Sequence, residues 1–155
     1  MKKVLISACL VGDKVRYDGG DNLAADIADL IQHCELIPFC PEVEGGLSVP
    51  RKPSEIRAQR VYDSDGKDVT SAFLSGAEKA LNICRYLHIE VAILKEASPS
   101  CGVEEIYNGH FEKHKKPGQG MTTRLLQKNG INVISEKDIP AFLASFKQQK
   151  KDVSD

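Results

Sequence analysis

The chain is 155 residues long, which is the length of one domain able to bury a core without staples such as disulfides. Hydrophobic residues make up 41% and charged residues 28% of it, which excludes a disordered or collagen-like chain. The 21 Lys and Arg against 22 Asp and Glu give a net charge of −1, so the charge balance favours neither nucleic acid nor an anionic membrane as a partner.

The N-terminal segment predicts a first β-strand and not a targeting signal. The apolar residues 4–8 are soon followed by Gly12-Asp13-Lys14, which interrupts the stretch too early for a secretory signal peptide. No apolar run approaches the roughly 18 residues that a membrane-spanning helix needs. We therefore expect a cytoplasmic protein with no membrane partner.

The rest of the chain alternates strand-like and helix-like segments. Short apolar runs predict strands, and apolar residues spaced by three and four predict helices. In chain order the pattern predicts a strand at 4–8, a helix at 23–34, a strand at 35–39, a shaped loop at 41–54, a hairpin at 57–68 with its turn at Asp65-Gly66, a helix at 69–88, a strand at 91–95, a loop at 96–102, a hairpin at 106–111 with its turn at Asn108-Gly109, a helix at 118–130, a strand at 132–135 and a helix at 139–148.

This order of elements predicts the fold class. Strands that alternate with helices form a parallel sheet covered on both faces. We expect a Rossmann-like three-layer α/β fold whose central, mostly parallel sheet has about four strands, with one or two hairpins added. Residues 1–148 would form the single domain, and residues 149–155 a polar, disordered tail.

The five cysteines are the unusual feature of the composition. We expect Cys34 and Cys84, which lie on apolar stripes of predicted helices, to fill the core. Cys9, Cys40 and Cys101 each follow a different predicted strand. Because the carboxyl ends of parallel strands meet at one edge of a sheet, these three sulfurs are predicted to share a site.

Three thiolates at one edge indicate a metal site with a vacant coordination position. Structural zinc normally takes four protein ligands, and iron–sulfur clusters are usually held by four thiolates. Three cysteines therefore leave one position free for a substrate, where the metal can act as a Lewis acid. The residues alone leave zinc and iron open.

Several short segments resemble, in the same order, those of the thiouracil desulfidase family. The resemblance runs along nearly the whole chain. The segments are Ser7-Ala8-Cys9-Leu10, Val15-Arg16-Tyr17-Asp18-Gly19, Cys40-Pro41-Glu42-Val43, Gly45-Gly46-Leu47, Pro50-Arg51, Ser98-Pro99-Ser100-Cys101-Gly102, Ile106-Tyr107-Asn108-Gly109, Gly118-Gln119-Gly120-Met121-Thr122 and Gly130-Ile131.

The resemblance implies a cofactor and two catalytic residues. A [4Fe–4S] cluster would be held by Cys9, Cys40 and Cys101, with one iron that the protein does not ligate. That iron would take the sulfur of a small thiolated pyrimidine base or nucleoside. Glu42 and Ser98 match the carboxylate and the serine that carry the acid–base work. The implied reaction is hydrolysis of the carbon–sulfur bond with release of sulfide.

The substrate pocket differs from the family at one position. Ser100 and Arg51 are predicted substrate contacts. The residue before Ser98 is often arginine in similar proteins, whereas this chain has Ala97.

Two further hypotheses for the function remain open. One is a mononuclear zinc hydrolase built on the three cysteines, and the other is a non-enzymatic domain that binds a cluster or nucleotide as a sensor.

Overall fold

A parallel sheet lies between two layers of helices in the computed structural model, which describes the backbone of residues 1–154 and the side chains of residues 1–148. The strands are β1 Lys2–Ser7, β2 Cys34–Phe39, β3 Ser54–Arg57, β4 Arg60–Asp63, β5 Val91–Leu94, β6 Glu105–Tyr107, β7 Lys115–Pro117 and β8 Asn132–Ser135. The helices are α1 Ile27–His33, α2 Pro41–Glu44, α3 Thr70–Leu87, α4 Met121–Lys128 and α5 Ile139–Ser154, with 3-10 turns at Ala8–Val11 and Glu136–Asp138.

The central sheet has four strands in the order β2-β1-β5-β8, and every pair is parallel. Two antiparallel hairpins, β3–β4 and β6–β7, lie outside it. The predicted fold class is therefore confirmed. The direction in which strands are added reverses between β1 and β5, and such a reversal is where ligands of open α/β sheets bind.

The core has one cluster on each face of the central sheet and a third that joins the hairpins to α3 through Ile56, Val61, Phe73 and Ile106. Parallel strands buried on both faces consist of nearly continuous apolar runs, as β1 and β5 do. One cluster joins Leu5, Ala92, Leu94 and Val133 to Ala80, Leu81 and Cys84 of α3 and Leu126 of α4. The cluster on the opposite face joins Val4, Ile6, Val91 and Ile93 to Ile27 and Leu30 of α1 and to Ile139 and Leu143 of α5.

The first hairpin has a turn earlier than the predicted one. Ala58 and Gln59 form its tight turn, with positive φ angles of 51° and 67°. Asp65-Gly66 instead belongs to the next turn, where the Asp63 carboxylate accepts hydrogen bonds from the amides of Asp65 and Lys67. Residues on either side of that second turn also pair, through an antiparallel bridge between Tyr62 and Asp68, so the predicted turn at Asp65-Gly66 is present and the turn at Ala58-Gln59 is an additional one.

The second hairpin is also wider than predicted. β6 and β7 are joined by residues 108–114 and not by a two-residue turn at Asn108-Gly109. The buried carboxylate of Glu55 accepts hydrogen bonds from the amides of Gly109 and Phe111. This contact with β3 holds the connection open, and a short-range pattern cannot show it.

Two predicted helices begin later than expected. Helix α1 begins at Ile27 because the residues before it bind the turn after β1. The amides of Asn22 and Ala24 donate to carbonyls of that turn. Helix α4 begins at Met121 because Gly118 and Gly120 donate to Glu104 and Gly102.

The last helix continues to Ser154, so its backbone runs into the segment predicted as a tail. Asp155 lies outside the described residues, and the predicted domain boundary at residue 148 stays a prediction. Among residues 1–154 no helix combines the length and the apolar character required for crossing a bilayer.

Helix α2 packs directly on α3 through two glycines. A Cβ atom at Gly76 would overlap the carbonyl of Pro41, and one at Gly45 would overlap the carbonyl of Ala72. The two backbones therefore meet without side chains between them. This contact fixes the position of α2, which follows Cys40 directly.

We expect Gly76→Ala to lower the free energy of unfolding by about 1–3 kcal/mol, because the new methyl group overpacks the α2–α3 contact. The sign is informative, since Gly to Ala normally stabilises a helix interior by about 1 kcal/mol. Urea denaturation measures the change. The exposed Glu78→Ala on the same helix is the control and should stay within about 0.5 kcal/mol of the wild type. A stabilised Gly76→Ala protein would contradict the packing.

Asp68 gives the fold a defined dependence on acid. Its carboxylate accepts a hydrogen bond from Arg60 Nε at 2.6 Å and one from the Thr70 amide at 2.9 Å, at the start of α3. The bonds from Arg60 and Thr70 lower the pKa of Asp68 from 3.8 to about 2. The contribution of Asp68 to stability is therefore complete above pH 3.8 and is lost as the pH falls through about 2.

We expect Asp68→Asn to be less stable than the wild type near neutral pH, and the two proteins to converge as the pH falls from about 4 to 2. Denaturant unfolding across that range measures the difference. A difference that is the same at both ends of the range would contradict the assignment.

Candidate functional site

The three cysteines predicted to share a site follow three adjacent strands of the sheet. Cys9 lies in the 3-10 turn after β1, Cys40 directly after β2, and Cys101 in the loop after β5. β2, β1 and β5 are neighbours in the sheet order. The structure therefore brings the three residues to one edge, at the reversal between β1 and β5.

The turn that carries Cys9 is closed from two sides. Gly12 ends it with a φ angle of 98°, which glycine adopts without strain, and its amide donates to the Cys9 carbonyl. The amide of Asn22 donates to the same carbonyl at 2.9 Å, and the Asn22 side chain hydrogen-bonds the Cys9 thiol. Asn22 is itself fixed by Arg16, whose Nη1 donates to its side-chain oxygen at 3.1 Å.

Cys40 lies at the junction of β2 and α2. Pro41 occupies the first helical position, where its fixed φ angle and missing N–H suit a helix start. The amides of Val43 and Glu42 then hydrogen-bond the Cys40 sulfur. The same short helix thus places two donors against this thiol.

Cys101 is buried in a loop held by hydroxyl groups. The Oγ of Ser98 accepts hydrogen bonds from the amides of Ser100 and Cys101, each at 3.0 Å. Thr123 on α4 donates to the Cys101 carbonyl at 2.9 Å. Ser7, at the end of β1, accepts from the Lys95 amide and hydrogen-bonds the Cys101 thiol.

The three thiols interact electrostatically with one another. Burial raises the pKa of each one above the ordinary value of 9.0. The charge of Cys40 raises the pKa of Cys9 further, and the charges of Cys40 and Cys9 raise that of Cys101. Metal-free, these thiols are therefore protonated at neutral pH, and a bound metal would be needed to hold them as thiolates.

The donor set fits an iron–sulfur cluster. Thiolates are the usual ligands of such clusters, and hydrogen bonds to the sulfurs tune them. Each thiol here has such a donor. Among the described side chains of residues 1–148, no His, Cys, Asp and Glu form a group of three or more that could hold a single metal ion. A four-iron cluster takes each thiolate on a different iron, so its ligands need not converge on one point.

Glu42 lies beside the cysteines on α2, and its side chain is 17% exposed. The Nε of Arg51 donates to its carboxylate at 3.3 Å. Burial raises the pKa of Glu42, and the charge and hydrogen bond of Arg51 oppose the rise without cancelling it. A buried carboxylate with a raised pKa has the properties of a general base.

Arg51 holds three segments together, and its side chain is only 8% exposed. Besides Glu42, its guanidinium donates to the carbonyls of Ser48 and Val15, at 3.1 and 2.9 Å. Its ion pair with Glu42 is thus largely buried. The predicted contact of Arg51 with a substrate stays a prediction.

The predicted serines differ in accessibility. Ser98 is half-buried, and its oxygen accepts two amides while its O–H remains able to donate. Ser100 is 0% exposed, and its hydroxyl is bonded to that of Thr122 at 2.8 Å. This placement favours a role for Ser100 in holding the loop, and its contact with a substrate stays a prediction. Ala97 adopts a left-handed backbone, with a φ angle of 69°.

Cys34 and Cys84 are core residues, as expected. Cys84 lies on the buried face of α3, and burial raises its pKa to about 11. Cys34 is also buried, but it begins β2 and does not lie on a helix.

Sequence reasoning missed Asn22, Ser7 and Glu96, all of which contact the segments that carry the cysteines. Ser7 is the first residue of the segment Ser7-Ala8-Cys9-Leu10, and its position there was the available signal. Asn22 and Glu96 bind loop residues that are several positions away in the sequence, so no local pattern indicated them.

A cavity of about 490 Å³ lies over the carboxyl ends of β1, β5 and β8. Its lining includes Leu10, Asn22, Lys95 and Glu136. Lys95 Nζ and Glu136 form an ion pair at 3.1 Å on this wall. Because Asn22 also contacts the Cys9 thiol, the cavity adjoins the cysteine site.

Comparisons with known proteins agree with this geometry. A family model described as 2-thiouracil desulfurase matches residues 4–138. A solved structure described as the [4Fe–4S]-dependent thiouracil desulfidase TudS is 43% identical, with a TM-score of 0.89, and the match covers 96% of this chain and 99% of that one. An uncharacterized protein of Bacillus subtilis (strain 168), YbbK, is 37% identical in an alignment 146 positions long, which covers 88% of this chain and 97% of YbbK.

Proposed function

Because the chain belongs to the 2-thiouracil desulfurase family, we propose that it removes sulfur hydrolytically from a small thiolated pyrimidine base or nucleoside. Water supplies the oxygen that replaces sulfur at the ring carbon, and the sulfur leaves as hydrogen sulfide. The atoms balance without an oxidant or a reductant. The observation that carries the proposal is the presence of three cysteines at adjacent strand ends, with Glu42 beside them.

Cys9, Cys40 and Cys101 would hold a [4Fe–4S] cluster, and the similar solved structure is described as [4Fe–4S]-dependent. When bound, the cluster would supply a Lewis-acid iron without a protein ligand, to which the thiocarbonyl sulfur can bind. Each cysteine has a hydrogen-bond donor near its sulfur: the Asn22 side chain for Cys9, the amides of α2 for Cys40 and the Ser7 hydroxyl for Cys101. These donors favour the charged sulfur that metal binding requires.

Glu42 is the proposed general base. It accepts the proton of the water molecule that attacks the thiocarbonyl carbon. Its raised pKa brings its basicity closer to neutral pH. Arg51 fixes the carboxylate through Nε and is itself anchored by two carbonyls, so Glu42 has one preferred orientation.

Ser98 is the proposed proton donor. Its oxygen is held by two amides of the cysteine loop, which orient the hydroxyl and leave its proton available. That proton can stabilise the tetrahedral intermediate or be relayed to the departing sulfur. Glu42 and Ser98 would thereby work on opposite proton transfers of one reaction.

The lining of the cavity beside Cys9 includes neither Glu42 nor Ser98, so we propose it as an approach to the site and not as the reacting position. Its volume of about 490 Å³ lies within the range of about 300–1,000 Å³ typical of small-molecule sites. All five cysteines are free, which agrees with the reducing cytoplasm that we propose as the location.

The direct test is a desulfuration assay. The protein is reconstituted anaerobically with iron and sulfide, freed of excess sulfide and incubated with 2-thiouracil or 2-thiouridine. We expect equal amounts of sulfide and desulfurated product, with no added reductant. A protein that carries a full cluster and releases no sulfide from either compound would contradict the proposal, and the two compounds distinguish base from nucleoside.

We expect Cys9→Ala, Cys40→Ala and Cys101→Ala each to abolish cluster binding and activity, because each removes one of only three thiolates. Iron and sulfide content per chain and visible absorbance measure the effect. Cys84→Ala is the matched control, since it removes a buried thiol far from the sheet edge and should keep the cluster. Iron retained by all three single variants would rule out this ligand set.

We expect Glu42→Gln to keep the absorbance of the cluster and to lose turnover by about 10²–10⁴-fold, the usual contribution of a general base. Gln preserves the size of the side chain and a bond to Arg51, but it cannot take a proton from water. Steady-state kinetics on protein of measured cluster content gives the comparison. Full turnover in this variant would remove Glu42 from the mechanism.

A further inference from the structure

Glu96 is a buried carboxylate that the reaction does not use. It follows β5 and is 4% exposed. Its Oε1 accepts hydrogen bonds from the amides of Ala97 at 3.1 Å, Val103 at 2.8 Å, Glu104 at 3.0 Å and Glu105 at 3.1 Å. Its Oε2 also accepts from the Glu104 amide at 3.3 Å. The carboxylate is thus bound by backbone amides and forms none of the ion pairs found in the described part of the chain.

These amides come from both sides of Cys101. Ala97 lies before the cysteine, and residues 103–105 lie after it. The Oε1 atom of Glu96 therefore binds both ends of the loop 97–105 and brings them together, and we call this closed loop the ring. Within that ring Ser98 binds the Cys101 amide, so the cysteine has a fixed backbone.

The ring is attached to the sheet through its first residues. The Glu96 amide donates to Glu136 Oε2 at 2.8 Å, and Lys95 Nζ donates to Glu136 Oε1 and to the Glu96 carbonyl. Glu136 follows β8, so Glu96 is held between the ends of two strands. Burial raises the pKa of Glu96, but the hydrogen bonds from the amides of Glu105, Glu104, Val103 and Ala97 outweigh it, so the pKa is lowered and the side chain is charged at neutral pH.

A charge is needed for this arrangement. A neutral amide oxygen has less negative charge to share among four donors, and a buried amide left without a partner costs about 1–3 kcal/mol. Replacing the carboxylate by a carboxamide keeps its shape and weakens the ring. Groups that orient metal ligands in this way change metal affinity by about 10–100-fold when altered.

We propose that Glu96 is the positioning residue of the cluster site: its carboxylate forms the loop 97–105 before any cluster binds and so presents Cys101 to the other two cysteines. The inference rests on the proposed function in one respect, namely that Cys101 is a cluster ligand. It assigns Glu96 no contact with substrate.

A matched control exists in the same chain. Glu55 is also a buried carboxylate, 8% exposed, and it accepts the amides of Gly109 and Phe111. It holds the connection between β6 and β7, which carries none of the cysteines. Glu55→Gln therefore makes the same chemical change without touching the cysteine loop.

The experiment compares Glu96→Gln and Glu55→Gln with the wild type after anaerobic reconstitution. Iron loss to an added chelator and the electron paramagnetic resonance spectrum of the reduced cluster are measured, and circular dichroism reports folding. We expect iron loss about tenfold faster in Glu96→Gln, with an altered spectrum. Glu55→Gln should melt at a lower temperature and keep the wild-type spectrum and rate. Wild-type iron loss in Glu96→Gln, or equal changes in both variants, would overturn the proposal.

Hydrogen exchange on the cluster-free wild type decides the matter if Glu96→Gln does not fold. We expect the amides of residues 103–105 to be protected before the cluster is added. Free exchange there until the cluster binds would mean that the cluster shapes the loop, which overturns the proposal. A wild type that takes up no cluster would instead overturn the proposed function, and the exchange result would still report on Glu96.

Discussion

Parallel pairing of β1 with both β2 and β5 is the constraint on which the site depends. It forces three chain segments, far apart in sequence, to leave the sheet at the same edge. The segment after each of these strands carries a cysteine, and small turns keep the three together. Without this pairing the cysteines would be separate thiols in separate loops.

Hydrogen bonds offset the cost of burying each charged or titratable group of the site. Each thiol has a nearby donor, the Glu42 carboxylate has Arg51, and Glu96 has backbone amides. Most of these donors are backbone N–H groups or short side chains, so ordering them costs little side-chain entropy beyond that of the folded backbone. The polar groups are therefore ordered in the folded chain itself, which is the property that makes an active site effective.

The sheet was predictable because its strands are short apolar runs, a pattern that depends only on local order. The same reasoning predicted that the segments with Cys9, Cys40 and Cys101 would meet at one edge, since strand ends follow from strand positions. The hairpin connections were not predictable. Ala58-Gln59 is not a pair that a local turn motif singles out, and the connection after β6 depends on Glu55, a carboxylate from another element.

The partners of the site residues were equally hidden. Arg51 lies nine positions from Glu42, and nothing in that spacing indicates a pair in a loop without regular structure. Glu96 reads as an ordinary loop acid, because the amides that bind it belong to residues up to nine positions later. From the sequence, Gly76 looks like a residue that destabilises its helix. Only the packed structure shows that the missing side chain leaves room for the carbonyl of Pro41. Tertiary contacts decide each of these cases.

Helix α2 is only four residues long, yet it follows one cysteine immediately, supplies the amides that face its sulfur and carries Glu42. A single helical turn thus sets the separation between sulfur and carboxylate. Because this turn rests backbone to backbone on α3, it has little freedom to tilt. Variation that adapts the protein to differently shaped substrates is therefore best tolerated in the walls around this turn, where a change in shape leaves the spacing of the reactive groups intact.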